Sequence, residues 1–244
     1  MKRVAVLLAF TMIFASGALA SEITKFHPGT GRHNVLPGER DVCWSEPPDL
    51  EGLIGSSEQI LMYGLETEIA NDFYAGYDTD ISVARFWGGY IGNSYPCESG
   101  MEYRGNNLRF YEDAGCIPAR LPNQPPQYAE YLCLPCDEVV IICQGGYYPE
   151  CEYHASVSVP VYAGYRYWFG AQMYDHPFPP QWGRLASAGV VDCDSVFWAP
   201  YFGYAEWTPC IDVFGLAFDA SQEFECGTTA TTTTSWGAVK RLYR

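Results

Sequence analysis

Between Trp44 and Gly227 the chain has no lysine, and its only basic side chains there are Arg85, Arg104, Arg109, Arg120, Arg166 and Arg184. The same stretch holds 26 of the 29 acidic residues, so six arginines against 26 acids leave a formal charge of −20. A surface of that sign repels phosphate backbones and anionic lipid heads, which excludes nucleic-acid binding. Histidine is scarce as well: His27, His33, His154 and His176 are the four in 244 residues. The chain lacks a G-x-S-x-G elbow, an H-E-x-x-H pair and a phosphate-cradling G-x-x-x-x-G-K-S/T loop. It has no long amphipathic helical pattern, and beyond residue 20 no apolar run reaches the ~18 residues of a membrane-spanning helix. With 48% hydrophobic and 16% aromatic residues, a mainly disordered chain is also excluded.

The N-terminus points to export. Lys2 and Arg3 precede an apolar run from Val4 to Phe14, and Ala18-Leu19-Ala20 has the small-x-small form of a cleavage site. Residues 1–20 therefore read as a secretory signal peptide, with cleavage after Ala20. Residues 21–43 read as an extended arm, 44–227 as the folded domain, and 228–234 as a Thr-rich linker. The last ten residues, 235–244, read as a basic amphipathic tail in which Ser235 caps a short helix. Trp236, Val239, Leu242 and Tyr243 fall on one side of that helix, and Lys240, Arg241 and Arg244 on the other.

All ten cysteines lie beyond the leader: Cys43, Cys97, Cys116, Cys133, Cys136, Cys143, Cys151, Cys193, Cys210 and Cys226. An even number in an exported chain predicts disulfides. The rival is a zinc knuckle at Cys133-x2-Cys136 with Cys143 and Cys151, which an oxidising compartment disfavours. Pairing stays open, with one local expectation: the Gly-Gly and Pro of QGGYYPE turn a hairpin that brings Cys143 to Cys151.

The folded region alternates with period two. YHASVSVPVY places Tyr153, Ala155, Val157, Val159 and Val161 on one face. In YRYWFGAQMY the inward set is Tyr165, Tyr167, Phe169, Ala171 and Met173, leaving Arg166, Trp168, Gln172 and Tyr174 on the other face. Further strands are predicted at 65–74, 79–91, 106–112, 128–134, 138–143, 194–201 and 211–219, the last burying Phe214, Leu216 and Phe218. Nine or ten short strands separated by turn residues predict an all-β fold: a two-sheet antiparallel sandwich, jelly-roll-like and stapled by disulfides.

Three chemistries compete for the polar and aromatic residues. Tryptophan and tyrosine faces stack on sugar rings while neighbouring polar groups hydrogen-bond the hydroxyls. Trp168, Arg166, Gln172 and Tyr174 on one strand face, Arg109 and Tyr111 on another, and Trp182 in or beside a loop form the candidate ligand set, against packing under loops. Trp198, Tyr201, Tyr204 and Trp207 also fall in or beside loops. Structural Ca²⁺ needs six to eight oxygens, which Asn71, Asp72, Asp78, Asp80 and Asp219 offer near strand ends. Asp192 and Asp194 are placed alike, and the alternative for all of them is an Asx turn. For hydrolysis, Glu66/Glu68 and Glu112/Asp113 are the nearest carboxylate pairs and Asp175-His176 the nearest acid–base pair, with nothing in their spacing to single one out.

VCWSEPPD, YGLETEIANDF, ISVARFWGGYIG, LRFYEDAGC, YRYWFGAQ and the closing W-x-P-C-x-D-x-x-x-x-A-F together resemble secreted, non-catalytic jelly-roll modules of environmental bacteria, of the carbohydrate-binding kind. The likeness covers roughly 44–221 and implies a fold more than an activity. The final TTTSWGAVKRLYR resembles a short tail that ends otherwise different exported bacterial proteins, which implies sorting, anchoring or assembly. The expected function is an exported binding module for a polysaccharide or surface glycan. The alternatives are an assembly subunit joined or anchored to an envelope through its termini, and a hydrolase.

Overall fold

Alternation in the sequence becomes strand pairing. The computed structural model describes residues 41–49, 54–91, 105–133, 137–144, 148–175, 181–187 and 192–227. The leader, residues 21–40 of the arm, the Thr-rich linker and the basic tail lie outside these, as do Cys97, Cys136 and His176. One sheet runs in the order β1 (Asp41–Glu46), β15 (Gln222–Gly227), β6 (Thr79–Ile91), β10 (Tyr148–Val161), β9 (Asp137–Gln144). Beyond β15, the same edge of β6 pairs β12 (Gln181–Leu185), which carries β2 (Ile54–Ser56) on its far side. The second sheet runs β14 (Tyr204–Pro209), β13 (Val196–Ala199), β5 (Glu68–Tyr74), β11 (Arg166–Met173), β7 (Asn106–Glu112), β8 (Ala129–Cys133). A small hairpin of β3 (Gln59–Ile60) and β4 (Leu65–Glu66) stands apart. All pairings between these strands are antiparallel. Successive strands such as β5, β6 and β7 change sheets, as in a jelly roll.

The core lies between the sheets. Phe224 of β15 meets Phe73 of β5 at 4.5 Å between ring centroids, Phe169 of β11 at 5.3 Å and Phe110 of β7 at 5.9 Å. Tyr153, Ala155, Val159 and Val161 of β10 and Tyr167, Phe169, Ala171 and Met173 of β11 are buried there, as the alternation requires. Truncating a ring in such a core costs about 3–5 kcal/mol. Trp182 is not a loop residue. It points into the core from β12, donates Nε1–H to the Tyr153 hydroxyl at 3.0 Å, and lies over Gly88, where a Cβ would stand 2.2 Å from its ring.

Several expectations are corrected. Residues 211–219 do not form a strand: Cys210–Phe214 is a short helix, α1, that ends at Gly215, with Leu216 exposed, Phe214 half-buried and Phe218 buried. Asp194 imposes this path, accepting the Ile211 N–H on Oδ2 at 2.7 Å and the Phe218 N–H on Oδ1 at 2.9 Å. The first strand begins at Asp41, inside the stretch read as an arm. Tyr165 precedes β11 and is exposed.

Two disulfides join distant parts of the chain, Cys43–Cys226 between β1 and β15 and Cys116–Cys193 between the segments after β7 and before β13. Cys133 is disulfide-bonded too, which removes it from a zinc knuckle. The β9–β10 hairpin forms, but its register sets Cys143 opposite Pro149 and Cys151 opposite Val140, so the two are not cross-strand partners. Cys210 is a free thiol rather than half of a bridge. It is buried against Phe197, Ala199 and Phe218, where burial pushes its pKa well above the ordinary thiol value and it packs as a small apolar residue.

Candidate functional site

Strands β5, β11 and β7 turn Glu68, Asp72, Trp168, Gln172, Arg109 and Tyr111 away from the inter-sheet core, yet these side chains are buried. The segment after β7 roofs them. Trp168 Nε1–H donates to Asp113 Oδ1 at 2.9 Å, Trp207 Nε1–H to the Arg120 carbonyl at 2.7 Å, and Leu121 packs in the same cluster as Trp168, Tyr111 and Trp198. The expected exposed platform at Trp168, Gln172, Arg109 and Tyr111 is therefore corrected: their surfaces are taken by the protein. Tyr174 is half-buried, with its N–H on the Gly105 carbonyl at 2.9 Å.

Beneath the roof lies a closed polar network. The fully buried Glu68 carboxylate is in contact with the Arg109 guanidinium and accepts the Tyr111 hydroxyl at 2.6 Å. Room for it exists because residue 170 is glycine: a Cβ there would stand 2.1 Å from Glu68 Oε1. Arg109 also donates to Glu130 at 2.9 Å and to Gln172 Oε1 at 3.2 Å, while Gln172 Nε2 reaches the Thr67 carbonyl at 3.0 Å. Burial raises the Glu68 pKa, and Arg109 opposes it. This network organises the sheet, its charged and polar groups being paired with one another.

At one end of β5, β7 and β11 the roof stops and a cleft of about 600 Å³ opens. Five tyrosines line it, Tyr74, Tyr128, Tyr162, Tyr165 and Tyr167, with Glu112, Asp113, Gly164 and Arg166. The β10–β11 turn presents two of them. Tyr165 N–H closes the turn on the Tyr162 carbonyl at 3.2 Å, and the turn is pinned by Gly164 N–H to the Ala75 carbonyl at 3.1 Å and by Ala163 N–H to Asp78 Oδ1 at 2.8 Å. Tyr162 and Tyr165 consequently stand 52% and 65% exposed. Tyr128 stacks obliquely on Tyr167 at 5.3 Å, and burial pushes its phenol up to about 12. A second recess of about 260 Å³ shares Glu112 and Tyr128 and adds Tyr111, Ala119, Arg120, Pro126 and Gln127.

Arg166 is the sequence candidate that does line the cleft. Its Nε lies 3.2 Å from Asp72 Oδ2, Nη1 lies 3.7 Å from Asp113, and Nη2 contacts both Asp192 and the Tyr74 hydroxyl. The guanidinium also lies 5.0 Å over the Tyr74 ring. Burial pushes the Asp72 carboxyl up to about 7 despite Arg166, whereas hydrogen bonds from Tyr74 and Arg166 draw Asp192 down.

The residues named for calcium divide. Asn71 is committed to Glu46 at 2.8 Å, the Ala220 carbonyl at 3.1 Å and the Ser195 hydroxyl at 2.7 Å. Asp219 Oδ1 accepts the Ser195 N–H at 3.2 Å, Asp78 holds the Ala163 turn, and Asp80 lies within β6. Among the described residues, Asp72, Asp192 and Cys193 alone gather ligand atoms within 4.8 Å, but the Cys193 sulfur is bridged to Cys116 and Arg166 spans the two carboxylates. The positive charge there comes from arginine, and the set does not offer the oxygens that Ca²⁺ requires.

Of the carboxylate pairs named from sequence, Glu112 and Asp113 both reach the cleft. Asp113 is spent on Trp168 and on the Gly115 and Cys116 N–H groups, each at 3.1 Å, while Glu112 is exposed. Glu66 accepts from Gln59, Glu68 is sealed in, and His154 sits beside Glu152 on the other sheet. The sequence signal for the cleft is the YAGY turn at 162–165, where two tyrosines flank Ala163 and Gly164. Compared with known proteins, the chain matches no family model, no curated protein and no solved structure.

Proposed function

We propose that this chain is a non-catalytic binding module for carbohydrate, acting outside the cytoplasm, with the tyrosine-lined cleft as its ligand site. The observation that carries the reading is the pair Tyr162 and Tyr165, held exposed by a pinned turn at the mouth of an open cleft. Their rings offer flat apolar faces for the C–H faces of sugars, and Glu112 with the Tyr162 and Tyr165 hydroxyls supplies partners for sugar hydroxyls. Binding is favoured over hydrolysis because Asp113 is consumed by structural hydrogen bonds, leaving Glu112 without a second carboxylate ready for acid–base work. Disulfides in the domain and the signal-like leader fit an oxidising destination.

The test is a pull-down on insoluble polysaccharides followed by titration of soluble oligomers. Tyr162→Ala with Tyr165→Ala should weaken binding by about ten-fold or more while leaving the melting temperature within about 2 °C, since both rings are exposed. Undiminished binding in a folded double variant overturns the proposal, and so does turnover of the sugar by the purified protein.

A further inference from the structure

We infer that the cleft selects amino sugars carrying a protonated amine over their neutral counterparts and rejects uronic acids; this rests on the glycan-binding reading above. Two arginines line the two recesses, which share Glu112 and Tyr128, and they are differently placed. Arg166 is already matched by Asp72, Asp113 and Asp192, so the group it centres has no positive charge to offer an anionic ligand. Arg120 belongs to the smaller recess only.

Glu112 occupies the seam. It lines both recesses, is exposed, and has no cation paired with it among the described residues. Tyr128, Tyr162, Tyr165 and Tyr167 line the same cleft, and of these Tyr162 and Tyr165 are the exposed rings. A carboxylate among π-faces is the environment an ammonium group prefers, combining an ion pair with cation–π attraction. At long range, the formal −20 over residues 44–227 concentrates cations near the surface and repels polyanions. The proposed ligand is therefore a polysaccharide with free amines, its pyranose faces on Tyr162 and Tyr165 and an ammonium against Glu112.

Three hexasaccharides separate the possibilities by calorimetric titration of the full chain at mildly acidic pH: N-acetylglucosamine, glucosamine and galacturonate. Glucosamine hexamer should bind about five- to ten-fold tighter than the acetylated hexamer at low salt. That ratio should shrink as salt is added, and Glu112→Gln should bring it close to one. Galacturonate hexamer should give no measurable heat. An acetylated hexamer that binds as tightly as glucosamine, a ratio that survives Glu112→Gln, or strong galacturonate binding overturns the inference while leaving the glycan reading intact. Silence from all three overturns the glycan reading itself, and the inference with it.

Discussion

Glu46 shows how one buried carboxylate sets the stability of this protein against pH. Its Oε2 accepts Trp44 Nε1–H at 3.1 Å, Asn71 Nδ2–H at 2.8 Å and Gln222 Nε2–H at 2.9 Å, yet burial outweighs these bonds and pushes the pKa from its ordinary 4.5 up to about 7. Asp219 and Asp72 nearby add to the rise. Between those two values the folded chain holds a proton that the unfolded chain has released, so stability falls as pH rises. The loss from Glu46 is roughly 3 kcal/mol, complete above about pH 7 and absent below about pH 4.5. Asp72, also lifted to about 7, acts in the same direction. Urea unfolding across that window should therefore show greatest stability on the acidic side. Glu46→Gln, which keeps the shape and removes the titration, should flatten the profile and stabilise the protein at pH 8; an unchanged slope would contradict this account. None of this is legible in the sequence, because the burial that raises the Glu46 pKa comes from a fold that packs it beside Gln222 and Asn71, 176 and 25 residues away.

Among the elements, β6 and β7 lie where the alternation places them, at 79–91 and 106–112, with Ile81, Ala84 and Phe86 of β6 and Leu108 and Phe110 of β7 in the inter-sheet core. For β11 the same alternation identifies the core face but says nothing of the opposite one, since the roof over Trp168 comes from a segment some fifty residues earlier. The strand β15 escapes recognition for a related reason. Its Glu223 and Glu225 look like solvent-facing turn residues until Arg85 of β6 is brought between them, at 2.6 and 2.9 Å. The cleft depends on one such non-local tie. Cys116–Cys193 clamps the segment bearing Asp113 to the one bearing Asp192, and Arg166 Nη1 lies 3.0 Å from the Cys116 sulfur. Replacing both cysteines by serine releases a constraint over 77 residues, costing about 4 kcal/mol in the chain-entropy picture. The double variant should melt lower and bind oligosaccharide several-fold more weakly. Lower stability with full affinity would place the clamp outside the site's organisation.

For the molecule as a whole, the first and last strands among the described residues are neighbours. Asp41 of β1 is the register partner of Cys226 of β15, and the Cys43–Cys226 bridge locks that pair. Force applied between residue 40 and residue 228 thus travels through a single covalent link and bypasses the two sheets. Stretched in an optical trap through those points, the oxidised domain should lengthen by no more than a few residues' worth of chain, whereas the reduced one should unzip β1 from β15 and release the long loop between them. A sheet-unfolding step in the oxidised molecule would refute this load path. Pulled through those two points, the sandwich and its tyrosine cleft hang beside the line of tension like a pendant on a clasp, and keep their shape under load.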